Sequence, residues 1–370
     1  MYYEKTIKDF GAAGNGMTDD TAALQKALNS GETVFFPAGV YLVSDQLETK
    51  GRSVSWIGTG ERSIIRLMPA ETSRKSQSFR GMEVYDTRMI LIKDAGSVTF
   101  RHLMLDADKE AFDTTPPHSR YDYTTCLEVW GAERVVLDDI TARGGLIEGV
   151  YIDRTPNIRI TNSRFIENGF YRDDASGIQI SGVKEMSKIM ISDCEFSHNG
   201  FNGLELNQVW GAVVNNIICS NNGFDGVALW GGSCECLFSN VFANNNRGGM
   251  NFRRNHSAGY LDIEQEGDRG FSAGIVVNGL VTEENEYGIM WGCARNILIN
   301  GWIGGGDNFQ HALCYLYPGE DITGEIRGAR VFPDIDEIFN DVLVPADGEI
   351  FDKLGAVPYG DPDRFKVRSV

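Results

Sequence analysis

The chain has 370 residues, of which 42% are hydrophobic and 23% charged, and its formal net charge is −18. This length and hydrophobic content allow a sizeable core and exclude intrinsic disorder. The acidity and the lack of a basic patch argue against nucleic acid or an anionic membrane as a partner.

Residues 9–43, DFGAAGNGMTDDTAALQKALNSGETVFFPAGVYLV, predict one helix followed by two strands. Thr18 or Asp19 can cap a helix over residues 20–29. Its apolar face consists of Ala23, Leu24, Ala27 and Leu28. Residues 33–36 and 40–43 are predicted strands, separated by a Pro-Ala-Gly turn. An amphipathic helix at this place is the expected cap on the open end of a solenoid.

A glycine followed by an alternating strand recurs through the middle of the chain. Its copies are GVYID (149–153), GIQIS (177–181), GLELN (203–207), GVALW (226–230), GMNFR (249–253) and GIMWG (288–292). The first four steps are 28, 26, 23 and 23 residues, and the longer last step indicates an insertion near residues 256–272. Repeats of this length with strand periodicity predict a β-solenoid.

Asparagines occupy one position in the turn that precedes several copies. This column is Asn168, Asn199, Asn222 and Asn246, and six residues earlier stand Asn162, Asp193, Asn216 and Asn240. An Asn side chain donates and accepts, so stacked asparagines can satisfy the backbone groups of a buried turn. Asn also tolerates the left-handed conformation that such turns require. The column is predicted to be scaffold, and His198 beside it a turn residue.

The N-terminal motif DFGAAGNGMTDDTAALQKAL, followed by VFFPAGVYLV, closely resembles the start of the pectate-lyase-like right-handed parallel β-helix superfamily. The repeats extend the resemblance to about residue 315. It implies an all-β, right-handed parallel β-helix with an N-terminal capping helix and an irregular C-terminal tail. We expect one domain over residues 1–370, with the cap and first strands in 1–45, the rungs in 46–314 and a C-terminal cap or tail in 315–370. In that tail PDIDEIFNDVL predicts a short helix.

The superfamily includes polysaccharide lyases, glycoside hydrolases, alginate epimerases, fructan-acting transferases and phage tailspikes. The resemblance therefore implies carbohydrate chemistry and an oligo- or polysaccharide substrate. It does not choose among these activities, since function depends on the site and not on the fold. Tailspike relatives make a homotrimer one possible assembly.

Alternation along each strand predicts two outward-facing columns, because the apolar side chains must face the core. With CLEVW (126–130) as the preceding rung, the first column is Glu128, Tyr151, Gln179, Glu205, Ala228 and Asn251. The second column is Trp130, Asp153, Ser181, Asn207, Trp230 and Arg253. Indole rings stack on sugars while amides and carboxylates bind hydroxyl groups. The predicted substrate-binding residues are Trp130, Tyr151, Gln179, Asn207, Trp230, Asn251, Arg253 and the loop residue His256. Residues 106–125 and 253–272 are predicted to form walls beside this face.

Glycosidic hydrolysis generally uses two carboxyl groups, one that protonates the leaving oxygen and one that activates water or attacks carbon. The outward candidates are Glu128, Asp153 and Glu205. Asp153 and Glu205 are expected about 10 to 12 Å apart at the backbone, a separation that favours an inverting enzyme. Each has an alternative role: Glu205 as a solvated strand residue, and Asp153 as the ion-pair partner of Arg154.

Asp173 and Asp174, in YRDDASG, are further catalytic candidates. They resemble the paired aspartates of polygalacturonase-like hydrolases but stand three residues before the glycine, and their alternative role is to cap a turn. A glycoside hydrolase or fructan-type transferase that needs no metal or cofactor is the first hypothesis.

Two alternatives stay open. A lyase or C5-epimerase acting on a uronic polymer would use a base such as Tyr151, Arg253 or His256, with calcium as a possible cofactor. GVYIDRTPNIRITNS is similar to the catalytic strand region of alginate epimerases, but Arg154 and Thr155 stand where a histidine is expected. The other alternative is a non-enzymatic glycan-binding tailspike or adhesin module.

The location of the protein is weakly constrained by the sequence. MYYEKTIKDF lacks the apolar segment of a signal peptide, and no run of about 18 apolar residues predicts a membrane-spanning helix. The seven cysteines, an odd number, are typical of free thiols and favour the cytoplasm. A secreted or virion-associated location stays open.

Overall fold

The computed structural model describes residues 5–68, 76–79, 82–109, 123–169, 175–183, 187–253, 272–292, 294–305, 314–316, 324–331 and 365–369. The chain divides into two compact units, the first comprising Met1–Ser181 with Lys188–Phe201 and the second Gly182–Ser187 with Asn202–Val370. Whether the whole chain behaves as one domain stays a prediction. Within the described residues, no helix combines the length and apolarity needed to cross a membrane.

Nearly all regular structure is β, as predicted. The strands up to residue 197 are β1 (Lys5–Thr6), β2 (Asn15–Asp19), β3 (Thr33–Phe35), β4 (Gly39–Val43), β5 (Leu47–Lys50), β6 (Val54–Ile57), β7 (Ser63–Leu67), β8 (Ser76–Phe79), β9 (Met82–Lys93), β10 (Val98–Asp106), β11 (Tyr123–Trp130), β12 (Val135–Arg143), β13 (Val150–Asp153), β14 (Asn157–Thr161), β15 (Arg164–Ile166), β16 (Ile178–Val183) and β17 (Lys188–Ser197).

The remaining strands lie in the second unit. They are β18 (Leu204–Val209), β19 (Val213–Ser220), β20 (Asp225–Trp230), β21 (Leu237–Asn244), β22 (Gly248–Arg253), β23 (Ser272–Ala273), β24 (Val276–Glu283), β25 (Tyr287–Trp291), β26 (Ala294–Arg295), β27 (Ile297–Gly305), β28 (Cys314–Leu316), β29 (Gly324–Val331) and β30 (Phe365–Ser369).

Successive rungs pair as parallel strands in both units. In the first unit β5, β9, β11, β13 and β16 pair in that order in what we call the face sheet. In the second unit the face sheet is β18, β20, β22, β25 and β28. Another parallel series runs through β10, β12, β14 and β17, and its counterpart in the second unit is β19, β21, β24 and β27. The fold is the right-handed parallel β-helix that the resemblance implies.

Stacked aliphatic side chains fill the interior. In the first unit, Leu127, Val150 and Ile178 lie in register on neighbouring strands and are fully buried. Burying one such side chain stabilises the fold by about 1.5–3 kcal/mol, an upper estimate because the unfolded chain already hides some of this surface. The same register places the residues after them on the outside, which confirms the predicted alternation.

The N-terminal helix α1 (Thr21–Ser30) buries the predicted apolar face of Ala23, Leu24, Ala27 and Leu28. It begins one residue later than predicted, with Asp20 at the N-cap position. Asp20 uses its carboxylate to accept from the backbone N–H groups of Ala13 and Gly14. Asp19, one of the two predicted caps, accepts from the N–H of Thr21 at 3.0 Å.

The asparagine column is scaffold, as predicted. In the first unit Asn168 donates to Oδ1 of Asn199 through both its backbone N–H and Nδ2, each at 3.1 Å. In the second unit Asn222 donates to Asn246 in the same way, and Asn246 to Asn285, which extends the column by one rung.

The left-handed conformation belongs to other residues than those of the buried column. One set precedes each buried asparagine: Glu167, His198, Asn221, Asn245 and Glu284, with φ between 51° and 58°. His198 is therefore the turn residue that was predicted. The set six residues before the buried column, Asn162, Asp193, Asn216 and Asn240, also has positive φ. Two roles were expected of one asparagine column. The buried column makes the hydrogen bonds, and these other residues adopt the left-handed conformation.

The rungs continue beyond residue 314, their predicted end. β29 pairs with β27, and β30 pairs with β29, all in parallel. The expectation of a wholly irregular tail is wrong for these two segments. The helix predicted over 333–343 lies outside the described residues.

Candidate functional site

The first unit holds three members of each predicted outward column. Glu128, Tyr151 and Gln179 are in register on β11, β13 and β16, and so are Trp130, Asp153 and Ser181. A parallel ladder spaces such neighbours by about 4.8 Å. The first unit therefore presents a carboxylate, a phenol and an amide side by side, as the alternation predicted.

Glu128 is enclosed rather than exposed. Its side chain is fully buried, and Arg88 donates through Nε to its Oε2 at 3.0 Å. Trp130 donates through Nε1 to the same oxygen at 3.1 Å, and Thr125 lies 3.4 Å from the other. Donors to both oxygens stabilise the charged carboxylate. Glu128 is thus an anion that Arg88 and Trp130 hold in place. Its catalytic role stays a prediction.

Asp153 forms the ion pair that was the alternative to its catalytic role. Nε of Arg154 donates to its Oδ2 at 2.6 Å. The Asp153 side chain is 17% exposed and that of Arg154 63%. The guanidinium lies 6.0 Å from the ring centre of Trp130, which in turn meets Tyr151 edge to face at 6.3 Å. An aromatic pair, an anion and a cation therefore share this surface.

The second unit carries the remaining column members. Glu205, Ala228 and Asn251 are in register, and so are Asn207, Trp230 and Arg253. Glu205 is only 5% exposed, so the alternative that it is a solvated strand residue is wrong. Nδ2 of Asn202 donates to its Oε2 at 2.9 Å.

A third outward column was missed. It stands two positions before the first core residue of each rung and includes Asn202 and Asp225 in the second unit. Both are fully buried, and Asn251, an outward residue, donates through Nδ2 to Oδ2 of Asp225 at 2.6 Å. The signal was present in the sequence, since a polar residue precedes the glycine in the copies at Glu148, Ser176, Asn202 and Asp225.

Several predicted features lie outside the described residues. These are Asp173, Asp174 and His256, most of segment 253–272 and residues 110–122 of the other predicted wall. The backbone of Arg253 belongs to β22, opposite Trp230, and its side chain lies outside the description. Asp153 and Glu205 belong to different units. Their separation, and with it the inverting stereochemistry, stays a prediction.

Cys126, Cys194 and Cys236 are free thiols, as predicted. Burial raises the pKa of Cys126, Cys194 and Cys236 to about 12, which keeps these thiols protonated. No group of three or more His, Cys, Asp or Glu side chains within the described ranges is arranged to hold a metal ion.

The chain matches known carbohydrate-active proteins. The model of the family described as "Rhamnogalacturonase A/epimerase, pectate lyase-like" matches residues 5–251. Mannuronan C5-epimerase AlgE1 of Azotobacter vinelandii is 28% identical over 248 residues, which are 62% of this chain and 16% of that protein. The chain therefore spans only a small part of that curated relative.

Solved structures share the fold at lower identity. The N-terminal fragment of bacteriophage Phi29 gene product 12 has a TM-score of 0.59 at 16% identity, covering 88% of this chain and 62% of that one. Endo-xylogalacturonan hydrolase of Aspergillus tubingensis has a TM-score of 0.58 at 13% identity, covering 86% of this chain and 91% of that one. At these identities the likeness concerns the fold alone.

Proposed function

The chain belongs to the rhamnogalacturonase A/epimerase, pectate lyase-like family, and from that membership we propose that it cleaves glycosidic bonds of an oligo- or polysaccharide by carboxylate general acid/base catalysis. The family is carbohydrate-active. In a hydrolase water accepts the glycosyl group, whereas in a fructan-type transferase a sugar hydroxyl takes its place.

The observation that carries this proposal is the burial of Glu205 on an outward-facing column. Removing a carboxylate from water costs free energy unless hydrogen bonds compensate. Here the side chain is 5% exposed and Asn202 holds one of its oxygens. A column of strand residues that served only solubility would leave such a group in water, whereas a carboxyl group fixed by Asn202 suits acid/base chemistry on a bound sugar.

The role proposed for Glu205 rests on its contact with Asn202. Glu205 is the proposed acid/base residue, because Asn202 fixes one oxygen and thereby the direction of the other. Asp153, Glu128, Asp173 and Asp174 are the candidates for the second carboxyl group. Trp130, Tyr151, Gln179, Asn207, Trp230, Asn251, Arg253 and His256 are the proposed sugar-binding residues.

The test combines a substrate panel with conservative substitutions. Neutral and uronic polysaccharides are incubated with the protein, and reducing ends are measured together with the absorbance of an unsaturated product. We expect new reducing ends without unsaturation from a hydrolase, and consumption of a donor oligosaccharide with larger products from a transferase. Glu205→Gln should reduce the rate at least 100-fold if it acts as acid or base. Glu286→Gln, which alters an exposed carboxylate of the same unit, is the matched control.

A lyase or C5-epimerase acting on a uronic polymer is the second candidate. Tyr151 favours it, because a half-buried phenol in contact with Trp130 could serve as the base that abstracts a proton next to a uronate carboxylate. A curated relative is a mannuronan C5-epimerase by name. Calcium is the cofactor proposed for this candidate, although no three candidate ligand side chains among the described residues group together to hold it. An unsaturated product in the same assay would show that the reaction is elimination and not hydrolysis.

Glycan binding without turnover is the third candidate, in line with the phage pre-neck appendage proteins among the curated relatives. In this case the panel would show binding but no new ends, no unsaturation and no change of sugar configuration. A homotrimer is proposed as the assembly, and light scattering after size-exclusion chromatography would test it by giving about three times the 40.9 kDa of one chain.

A further inference from the structure

Four residues of the second unit form a chain of hydrogen bonds that begins at Glu205. Asn202 donates through Nδ2 to Oε2 of Glu205 at 2.9 Å. Oδ1 of Asn202 accepts from the backbone N–H of Asp225 at 3.2 Å. Oδ2 of Asp225 then accepts from Nδ2 of Asn251 at 2.6 Å. Asn202, Asp225 and Asn251 are all fully buried.

The chemistry of each group fixes how both amides point. A backbone N–H can only donate, so the atom of Asn202 that meets it must be the carbonyl oxygen, and the amino group is left for Glu205. A carboxylate can only accept, so Asn251 must turn its amino group to Asp225. Oδ1 of Asn251 therefore points away from Asp225.

That oxygen is a buried acceptor with no donor among the described residues. Leaving such an atom unsatisfied costs free energy, which a bound donor would recover. The position between Glu205 and Asn251 on the column is Ala228, whose methyl group places neither bulk nor charge between them. Two rungs, about 10 Å at the backbone, separate Glu205 from Asn251, a span that different hydroxyl groups of a bound sugar can bridge.

The packing around Asp225 holds the arrangement in place. Gly248 is its register partner on β22. A Cβ at Gly248 would collide with Oδ1 of Asp225 and with the sulfur of Met290. The glycine is therefore required for Asp225 to keep its direction toward Asn251.

Resting on the proposed function, we infer that Oδ1 of Asn251 and the carboxylate of Glu205 form an acceptor pair that binds hydroxyl groups of a neutral sugar unit. Asn202 and Asp225 are positioning residues, since they act through Glu205 and Asn251. A uronate carboxylate would meet two acceptors here and no donor from this pair, which is unfavourable. The substrate class of this subsite is a neutral glycan rather than a uronic one.

Asp225→Asn tests the inference by removing the carboxylate that fixes the direction of the Asn251 amide. The new amide can present either its oxygen or its amino group to Asn251, so the Asn251 oxygen is no longer held toward the sugar. Binding is measured by calorimetry with neutral xylo-, galacto- and fructo-oligosaccharides and with oligomers of galacturonate and mannuronate. We expect wild type to prefer a neutral oligomer, and Asp225→Asn to bind it roughly tenfold more weakly, the effect of one lost hydrogen bond of ordinary strength.

The exchanged double variant, Asp225→Asn with Asn251→Asp, restores an acceptor at position 251 that faces the sugar. We expect its affinity within about threefold of wild type, a recovery that mere loss of packing would not produce. Asn278→Asp, in an exposed amide pair with Asn300 of the same unit, is the control and should leave binding unchanged. Thermal unfolding of each variant confirms that the folded protein is compared.

Stronger binding of uronic oligomers, no binding by any oligomer, or a folded Asp225→Asn variant with wild-type affinity would each overturn the inference. The proposed catalysis is judged separately from turnover. If wild type shows no cleavage while the exchange still lowers and restores binding, the subsite stands and the hydrolytic proposal fails. If Glu205→Gln abolishes cleavage while Asp225→Asn changes nothing, the opposite holds.

Discussion

Arg88 and Glu128 form an ion pair on neighbouring strands of the face sheet, with Nε of the arginine 3.0 Å from Oε2 of the glutamate. The Glu128 side chain is fully buried and that of Arg88 is 24% exposed. Removing one partner of a buried pair leaves the other charge uncompensated. We expect Glu128→Gln to lower the free energy of unfolding by roughly 2–4 kcal/mol, with the partial exposure of Arg88 reducing the full penalty.

Glu48→Gln is the matched control for this change. Glu48 pairs with Lys93 at 2.8 Å on the same sheet, but both side chains are substantially exposed, at 45% and 35%. An exposed pair contributes about 0–1 kcal/mol, so urea unfolding should separate the two variants clearly. Equal losses would show that Arg88 and Glu128 are not a buried pair in solution.

The buried asparagine column predicts a large effect of a small change. Oδ1 of Asn246 accepts from Asn222, and its Nδ2 donates to Oδ1 of Asn285 and to the carbonyl of Cys219. Asn246→Ala leaves several buried groups without a partner, at about 1–3 kcal/mol for each. We expect a loss of at least about 3 kcal/mol in urea unfolding.

Asn278→Ala is the comparison for that experiment. Asn278 accepts from Asn300 on the outside of the same unit, where water can replace the lost partner. Its loss should stay below about 1 kcal/mol. A similar cost for both asparagines would contradict a scaffold role for the buried column.

The register of the rungs could be read from the sequence. Leu204 pairs with Val227 and Glu205 with Ala228, as the alternation predicted. A slip by one residue would turn every apolar side chain of a strand to the outside, so one register is strongly preferred. The inward face and the repeat therefore determine most of the fold.

The third outward column was missed because the alternation breaks at the glycine. Asp225 stands two positions before the core residue Val227, so strict alternation would turn its side chain inward. In the structure Gly226 faces inward as well, since a Cβ on it would approach Ala243 and Asn246. Asp225 therefore turns outward to Asn251. Strict alternation therefore does not predict that the side chain of Asp225 faces outward.

The pairing of Glu128 was also beyond sequence reasoning. The predicted rungs began at residues 126–130, so no partner of Arg88 was predicted. In the structure β9 pairs with β11, and Arg88 is opposite Thr125 in the register. Whether Arg88 reaches diagonally to Glu128 depends on side-chain rotamers and on Trp130, which sequence spacing does not encode.

Asp138 gives a prediction for acid stability. Burial acts to raise its pKa, but hydrogen bonds from Thr161 at 2.7 Å and Asn162 at 3.3 Å outweigh it, and the pKa lies below 3.8. Because the folded value is lower than the unfolded one, Asp138 contributes stability above about pH 4 that is lost as pH falls through the folded pKa. Asp138→Asn should make urea unfolding less dependent on pH in the acid range, and an unchanged dependence would refute this.

The buried thiols should resist modification while the chain is folded. Burial raises the pKa of Cys126, Cys194 and Cys236 to about 12, so little thiolate exists near neutral pH. We expect a disulfide reagent at about pH 8 to leave all three unmodified in native protein and to modify them in urea. Peptide mass spectrometry assigns each site. The same shifts imply stability that declines as pH rises above 9, because the unfolded thiols ionise first.

Tyr151→Phe separates hydrolysis from elimination or epimerisation. The substitution keeps the ring that meets Trp130 edge to face and removes only the hydroxyl group. If the chain is a hydrolase, Tyr151 binds sugar and kcat should fall by less than about tenfold, since one neutral hydrogen bond is lost. If the phenol is the base, kcat on a uronic polymer should fall by about 100- to 10,000-fold.

Reducing ends, unsaturated product and the ratio of uronate epimers, measured with neutral polymers and polymannuronate, distinguish these outcomes. Tyr41→Phe is the control, because it removes the hydroxyl group of a tyrosine outside the candidate site residues, one that donates to the carbonyl of Pro37 at 2.8 Å. A large loss of kcat for Tyr151→Phe, without a similar loss for the control, would indicate that the phenol rather than a carboxylate acts as the base.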